Sequence, residues 1–285
     1  MGMYTDLACE KCTDKLAKHN DKLKYGCEEI VVNINSARKQ QKYGLNRGSY
    51  YFLECPNLNL LAPIVSDYIV SQVATYLKVL IGKKINLNKP NTVLVVGLGN
   101  QNIVCDSLGV LATSKLIVGQ AVECGNKLLA FCPSVSGQTG IDSARLIKSV
   151  TASVRPDLVI LVDSLCALST ARLGSSVQIS DSGLVAGGCV TENKTLINSK
   201  YLGVPTLNIG VPLVVKTETI IFEVLKVLSE QSEMQGQSII KNINNFIVTP
   251  KDIDSLVRLN AEIIASSINL AVLGVSVETQ KSVLK

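Results

Sequence analysis

Val93-Leu94-Val95-Val96-Gly97-Leu98-Gly99 restricts the fold more than any other stretch of the chain. Four consecutive apolar residues, three of them β-branched, are too few for a helix. Closed by glycine, they read as a buried strand of a parallel sheet. Gly97 and Gly99 allow a sharp turn where Cβ atoms would collide. The apolar SLGVLATSKLIV that follows then packs as a helix against the sheet. In an open α/β sheet the functional crevice lies beyond the carboxyl ends of the strands, so Asp106 is delivered to it.

The remainder of the chain predicts an α/β fold, a mostly parallel sheet covered by helices. KLLAFC (127–132), DLVILVD (157–163), SVQIS (176–180) and VPTLNIG (204–210) supply the further strands, with Asp163 at the end of its own. Helices are expected over 63–81, 141–154 and 217–228. A last one begins with Thr249 as N-cap and Pro250 at the first helical position. EIVVNI (29–34) and SYYFLEC (49–55) read as an N-terminal antiparallel strand element outside the main sheet. The polar, glycine-rich 181–194 has the character of a site loop.

Composition narrows the chemistry. The net charge of +5 is modest, aromatics make up only 4%, and no basic run is interleaved with them, so direct nucleic-acid binding is not expected. No run approaches the ~18 uninterrupted apolar residues of a membrane span, and MGMYTDLACEKC lacks the regions of a signal peptide. A cytoplasmic protein with no membrane partner is the expectation. Nine cysteines in that setting read as reduced thiols, and the CEKC pair at Cys9 and Cys12 has no second pair to complete a zinc site.

A single histidine, His19, lies in the polar stretch KLAKHNDKLK, far from every strand end. Ser-His, Cys-His and multi-histidine zinc chemistry all need an imidazole at the reacting atom. That turns attention to Asp106 and Asp163. Two neighbouring carboxyls cannot both ionise cheaply; one keeps a proton as acid while the other accepts one from water. Such a pair can hydrolyse an amide, although aspartates after strands also cap helices and bond turns. Cys105 and Cys166 flank the pair but lack an activator. GLGNQN misses the dinucleotide fingerprint because Asn102 stands at its last glycine, so no nucleotide cofactor is expected. In PSVSGQTG, Ser136 and Thr139 are plausible hydrogen-bond donors.

VLVVGLGNQNIVCDSLG, FCPSVSGQTGID, RPDLVILVDSLCA, VQISDSG, LGVPTLNIGVPLVV and FIVTPKDIDSLV resemble, in order and spacing, the germination proteases of spore-forming bacteria. That resemblance implies an atypical aspartic endopeptidase that degrades the small acid-soluble proteins coating spore DNA. It places the catalytic aspartates on Asp106 and Asp163, with Gly99, Asn100, Thr139 and Gly140 as substrate-binding or supporting residues. It also implies a metal-free, cofactor-free homotetramer of the spore cytoplasm, with a fold like the hydrogenase-maturation peptidases. TDLACE resembles the family's self-processing segment, making residues 1–6 a short propeptide, 7–285 a single peptidase domain, and Asp6-Leu7 the cleaved bond. Where the family carries prolines around the first aspartate, this sequence reads VCDSLGV. A metal-dependent processing peptidase, or a non-catalytic spore protein binding the same substrates, are the alternative readings.

Overall fold

The computed structural model describes residues 4–12, 18–56, 63–119, 125–186, 195–228 and 246–275. The N-terminal part runs α1 (Ala8–Lys11), β1 (Lys18–Lys22), β2 (Glu28–Ile34), α2 (Ala37–Tyr43), β3 (Gly48–Glu54) and the long α3 (Pro63–Gly82). There follow β4 (Thr92–Gly97), α4 (Leu108–Ser114), β5 (Lys127–Phe131), the short α5 (Ser136–Thr139), α6 (Ser143–Val154) and β6 (Leu158–Ala167). After β7 (Ser176–Ser180) come β8 (Leu184–Val185), β9 (Leu196–Ile197), α7 (Ser199–Leu202) and β10 (Thr206–Lys216). The chain continues through α8 (Thr217–Leu228), β11 (Ile247–Val248) and α9 (Ile253–Ile268).

The strands lie in the order β1-β2-β3-β7-β10-β6-β4-β5, with β11 on the end of β10. β5, β4, β6 and β10 are mutually parallel and form the centre. β2 and β3 are antiparallel as expected, but they continue the main sheet rather than standing outside it. The strand that joins them to it is β7, which is antiparallel to both β3 and β10. No helix precedes β7 to turn it parallel; only a short 3-10 turn at Thr170–Arg172 separates it from β6.

β4 shows why its apolar run is continuous. Val93 and Val95 pack toward α3, α4 and α9, against Leu77, Leu80, Ala112 and Ile264. Leu94 and Val96 point to the opposite face, against Ala144 and Ile147 of α6. Both faces are covered, so each residue is buried whichever way it points. A third cluster fills the antiparallel end, where Leu7, Ala8 and Cys12 pack with Ile30, Val32 and Phe52. α3 and the span Ile253–Leu273 are long and apolar enough to cross a bilayer, yet half or more of each apolar window is buried within the fold.

Two boundaries differ from expectation. α9 starts at Ile253, three residues later than the expected Pro250, because a 3-10-type bond from Ile253 N–H to Pro250 O precedes it; Asp252 is the N-cap and the helix ends in a π turn over Asn269–Leu273. β6 continues four residues past Asp163, because β10 keeps pairing with it as far as Val215 opposite Ala167.

Candidate active site

Asp106 is held by a closed loop. Leaving β4, Gly99 takes φ +106, and a Cβ there would lie 1.9 Å from the Asp106 carbonyl oxygen, so only glycine fits. Asn100 N–H then donates to Asp106 twice, to the carbonyl oxygen at 3.1 Å and to the side-chain Oδ2 at 2.9 Å. Ile103 N–H reaches Asn100 O, and Asp106 N–H reaches Ile103 O, which seals a 3-10 turn over Val104–Asp106. Hydrogen bonds thus fix the aspartate within the VCDSLGV segment.

Asp163 stands on β6 opposite Gly210, one residue beyond the last pairing with β4, Gly97 opposite Val162. The end of β4 therefore opens the space into which Asp163 faces. Its side chain is nearly buried, at 6% exposure, and Oδ1 accepts from Ser164 N–H at 2.9 Å. Ser164 itself carries a buried hydroxyl without a hydrogen-bond partner. Asp106, Asp163 and Ser164 line a cavity of about 630 Å3, shared with Asp6, Cys166 and Gln178. An adjoining cavity of about 460 Å3 also reaches both aspartates and is walled by Ser134, Val135 and Ser136. A hollow of about 710 Å3 at the end of α3, lined by Lys78, Lys83 and Lys84, has no carboxyl, thiol or hydroxyl side chain among the described residues that line it.

Burial pushes the Asp106 carboxyl up to about 6, opposed by the Asn100 N–H. Burial pushes Asp163 well above the usual carboxylate range, reinforced by the charges of Asp106 and then Asp6, with Ser164 N–H opposing. Both carboxyls are thus shifted toward the protonated form, the nearly buried Asp163 more strongly than Asp106. Two carboxyls of unequal acidity facing a common space are chemically able to divide the work of base and acid.

The N-terminal segment reaches the same place. Asp6 N–H donates to Cys166 O at 2.9 Å, and Asp6 Oδ2 accepts from Cys166 N–H at 2.9 Å. Tyr4 OH donates to Asp6 Oδ1 at 2.5 Å. Beyond the bond, Leu7 and Ala8 are fully buried. Glu10 locks the segment: it accepts from Thr5 Oγ1 and Leu168 N–H and pairs with Arg172 at 3.0 Å. Arg172 also bonds Glu54.

The other expected residues are distributed unevenly. Asn100 touches Asp106, and Gly99 lies against it. Thr139 and Gly140 end α5; the Thr139 hydroxyl bonds its own backbone neighbourhood, and the cavity is lined instead by Ser134–Gly137 of the same loop. Of the glycine-rich 181–194 stretch, residues 187–194 lie outside the described residues, while Ala186 and Thr195 line the smaller cavity. His19 pairs with Asp21 on β1, at the far edge of the sheet. Cys9 and Cys12 belong to the apolar cluster of the antiparallel end. Cys105 is pushed up by burial and by Asp106, which disfavours a thiolate. Among the described residues, no three His, Cys, Asp or Glu side chains are grouped so as to hold a metal ion. Sequence reasoning missed Gln178, Glu10 and Arg172. Gln178 left a signal: a long polar side chain at the centre of a strand that is buried along its length.

The germination protease family profile matches residues 10–236. A germination protease of Caldanaerobacter subterraneus is 33% identical, covering 95% of this chain and 94% of its own length. One from Clostridium acetobutylicum is 28% identical, covering 93% and 91%. A NiFe hydrogenase maturation protease from Thermococcus kodakarensis superposes on 63% of this chain and 93% of its own, with a TM-score of 0.36 and 16% identity.

Proposed function

This chain belongs to the germination protease family, and from that premise we propose an endopeptidase that opens the degradation of small acid-soluble, DNA-binding spore proteins by an aspartate dyad. The observation that carries this reading is that two carboxyls, the half-buried Asp106 and the nearly buried Asp163, line one cavity, with burial pushing Asp106 up to about 6 and Asp163 well above the carboxylate range. Asp106 takes a proton from water, the resulting hydroxide adds to the peptide carbonyl, and Asp163 gives its proton to the departing nitrogen. The proton then on Asp106 returns the pair to its starting state through solvent.

The protein is made as a precursor that cuts its own Asp6-Leu7 bond. Support comes from the position of that bond, with Asp6 lining the dyad's cavity and its charge acting on Asp163. Assembly as a homotetramer in the spore cytoplasm completes the proposal. The test replaces either carboxyl: Asp106→Asn and Asp163→Asn are expected to lose at least 10³-fold in kcat on a small acid-soluble spore protein while melting cooperatively. A variant retaining parental turnover would remove the dyad.

A further inference from the structure

Gln178 is nearly buried, at 3% exposure, in the middle of β7. Its main chain is registered on both sides, opposite Phe52 of β3 and Gly210 of β10, so its Cα is fixed by the sheet. The side-chain amide spans the Asp6-Leu7 bond. Nε2–H donates to the Asp6 carbonyl oxygen at 3.3 Å, and Oε1 accepts from Ala8 N–H at 3.0 Å. These partners settle the orientation of the amide, since a carbonyl only accepts and an N–H only donates. On the other side, Asp6 N–H is held by Cys166 O at 2.9 Å, and Leu7 is extended at φ −84 and ψ 120. The bond is gripped before and after, and Gln178 shares its cavity with Asp106 and Asp163.

We propose that Gln178 is a further catalytic residue, holding the carbonyl oxygen of the bond to be cut and stabilising the negative charge that develops on it. The inference rests on the reading that the dyad cuts Asp6-Leu7. In the step, water loses a proton to Asp106 and its oxygen bonds to the Asp6 carbonyl carbon. The carbonyl π pair moves onto the oxygen facing Gln178 Nε2–H. The oxyanion then re-forms the carbonyl, the C–N bond breaks, and Asp163 supplies the proton that makes the Leu7 nitrogen an amine. A neutral amide suits this place: it donates without adding a charge, so the protonation of the two carboxyls is left as burial and their neighbours set it. The contact shortens as the oxygen becomes anionic, because charge-assisted hydrogen bonds are the shorter and stronger ones. The same grip defines a substrate in trans as an extended peptide with a free backbone N–H two residues after the cut.

The experiment compares the unaltered chain with Gln178→Met and Gln178→Glu on the hexapeptide Thr-Asp-Leu-Ala-Cys-Glu, with rates expressed per folded molecule from thermal unfolding. Glutamate keeps the acceptor for the N–H but loses the donor. Both variants are expected to lower kcat about 10²- to 10³-fold with KM changed less than about fivefold. A kcat within threefold of the parent, or a loss confined to KM, overturns the proposal alone. Should the variants not fold, the unaltered chain still decides: a peptide with N-methylalanine in the Ala8 place is expected to be cut at least tenfold more slowly, and equal rates overturn the proposal. Absence of any Asp-Leu cleavage by the unaltered chain overturns the self-processing reading and this one together.

Discussion

Gly99→Ala and Gly140→Ala form a matched pair, because both glycines have positive φ and both stand in loops that follow parallel strands. They differ in what a methyl group would meet. At Gly140, φ is +71 and nothing lies within 4 Å, so alanine adds only left-handed strain, about 1 kcal/mol. At Gly99, a Cβ would lie 1.9 Å from Asp106 O and 3.0 Å from Asp106 Oδ1. The loop must open by roughly 1 Å to restore a normal contact. Opening it breaks the bifurcated Asn100 N–H bond to Asp106, one arm of which ends on the carboxylate, at about 2 kcal/mol. With about 1 kcal/mol of strain added, Gly99→Ala is expected to cost about 3 kcal/mol. Urea unfolding measures that term, and the slope should stay constant if the unfolded state is unchanged. Because the carboxyl moves by about the same ångström, kcat should fall on the order of 10²-fold, whereas Gly140→Ala should keep parental turnover. Equal stability losses in the two variants, or a fully active Gly99→Ala, would refute the argument that this glycine exists to let Asp106 approach.

Activity should rise with pH through about 6 as Asp106 ionises, and the limb should be read from kcat/KM for the free enzyme. The same shift bears on stability. Asp106 has its pKa raised from 3.8 to about 6 on folding, so the cost of its burial is absent below the unfolded value and complete above the folded one. Asp106→Asn should therefore stabilise by on the order of 2 kcal/mol at neutral pH, with the gain vanishing below about pH 4, as followed by denaturant midpoints. Dialysis against a chelator should leave turnover intact, and a loss restored by a divalent cation would favour the metal-dependent alternative. Arg172→Met should cost roughly 3 kcal/mol, since Glu10, with a 4% exposed side chain, loses its cation. Amide exchange in residues 7–12 should accelerate in that variant.

The parallel centre of the fold was legible because burial on both faces writes itself as continuous apolar runs, and because Gly97 and Gly99 punctuate the first of them. The same runs located Asp163 at the end of its strand and Asp106 in the loop that leaves β4, and the structure brings both to one cavity. Less was readable where structure depends on a distant partner. That β6 continues to Ala167 follows from β10 lying beside it, and that β7 joins the N-terminal hairpin to the sheet follows from register with β3. Neither is written in a local pattern. Gln178 is 170 residues from Ala8 and Glu10 158 residues from Leu168, so no spacing rule links these pairs. The start of α9 shows a smaller limit: Thr249 and Pro250 had the residue types of a helix start, but a 3-10 turn took their place before the Asp252 cap.

The docking of Leu7–Cys12 into the apolar cluster of the antiparallel end gives the proposed self-cleavage an unusual asymmetry. One product of the cut cannot diffuse away, because it is the body of the protein, and its new amine stays where the bond was. Held there, it remains at an effective concentration far above that of any free amine, so resealing competes with escape. What makes the cut permanent is then the departure of the piece ending in Asp6, moored by the two bonds of Asp6 to Cys166 and by the Thr5 hydroxyl on Glu10 and Cys166 O. The timing of maturation would accordingly be governed by how tightly Thr5 and Asp6 are tied down, and not by the speed of the chemistry beside them.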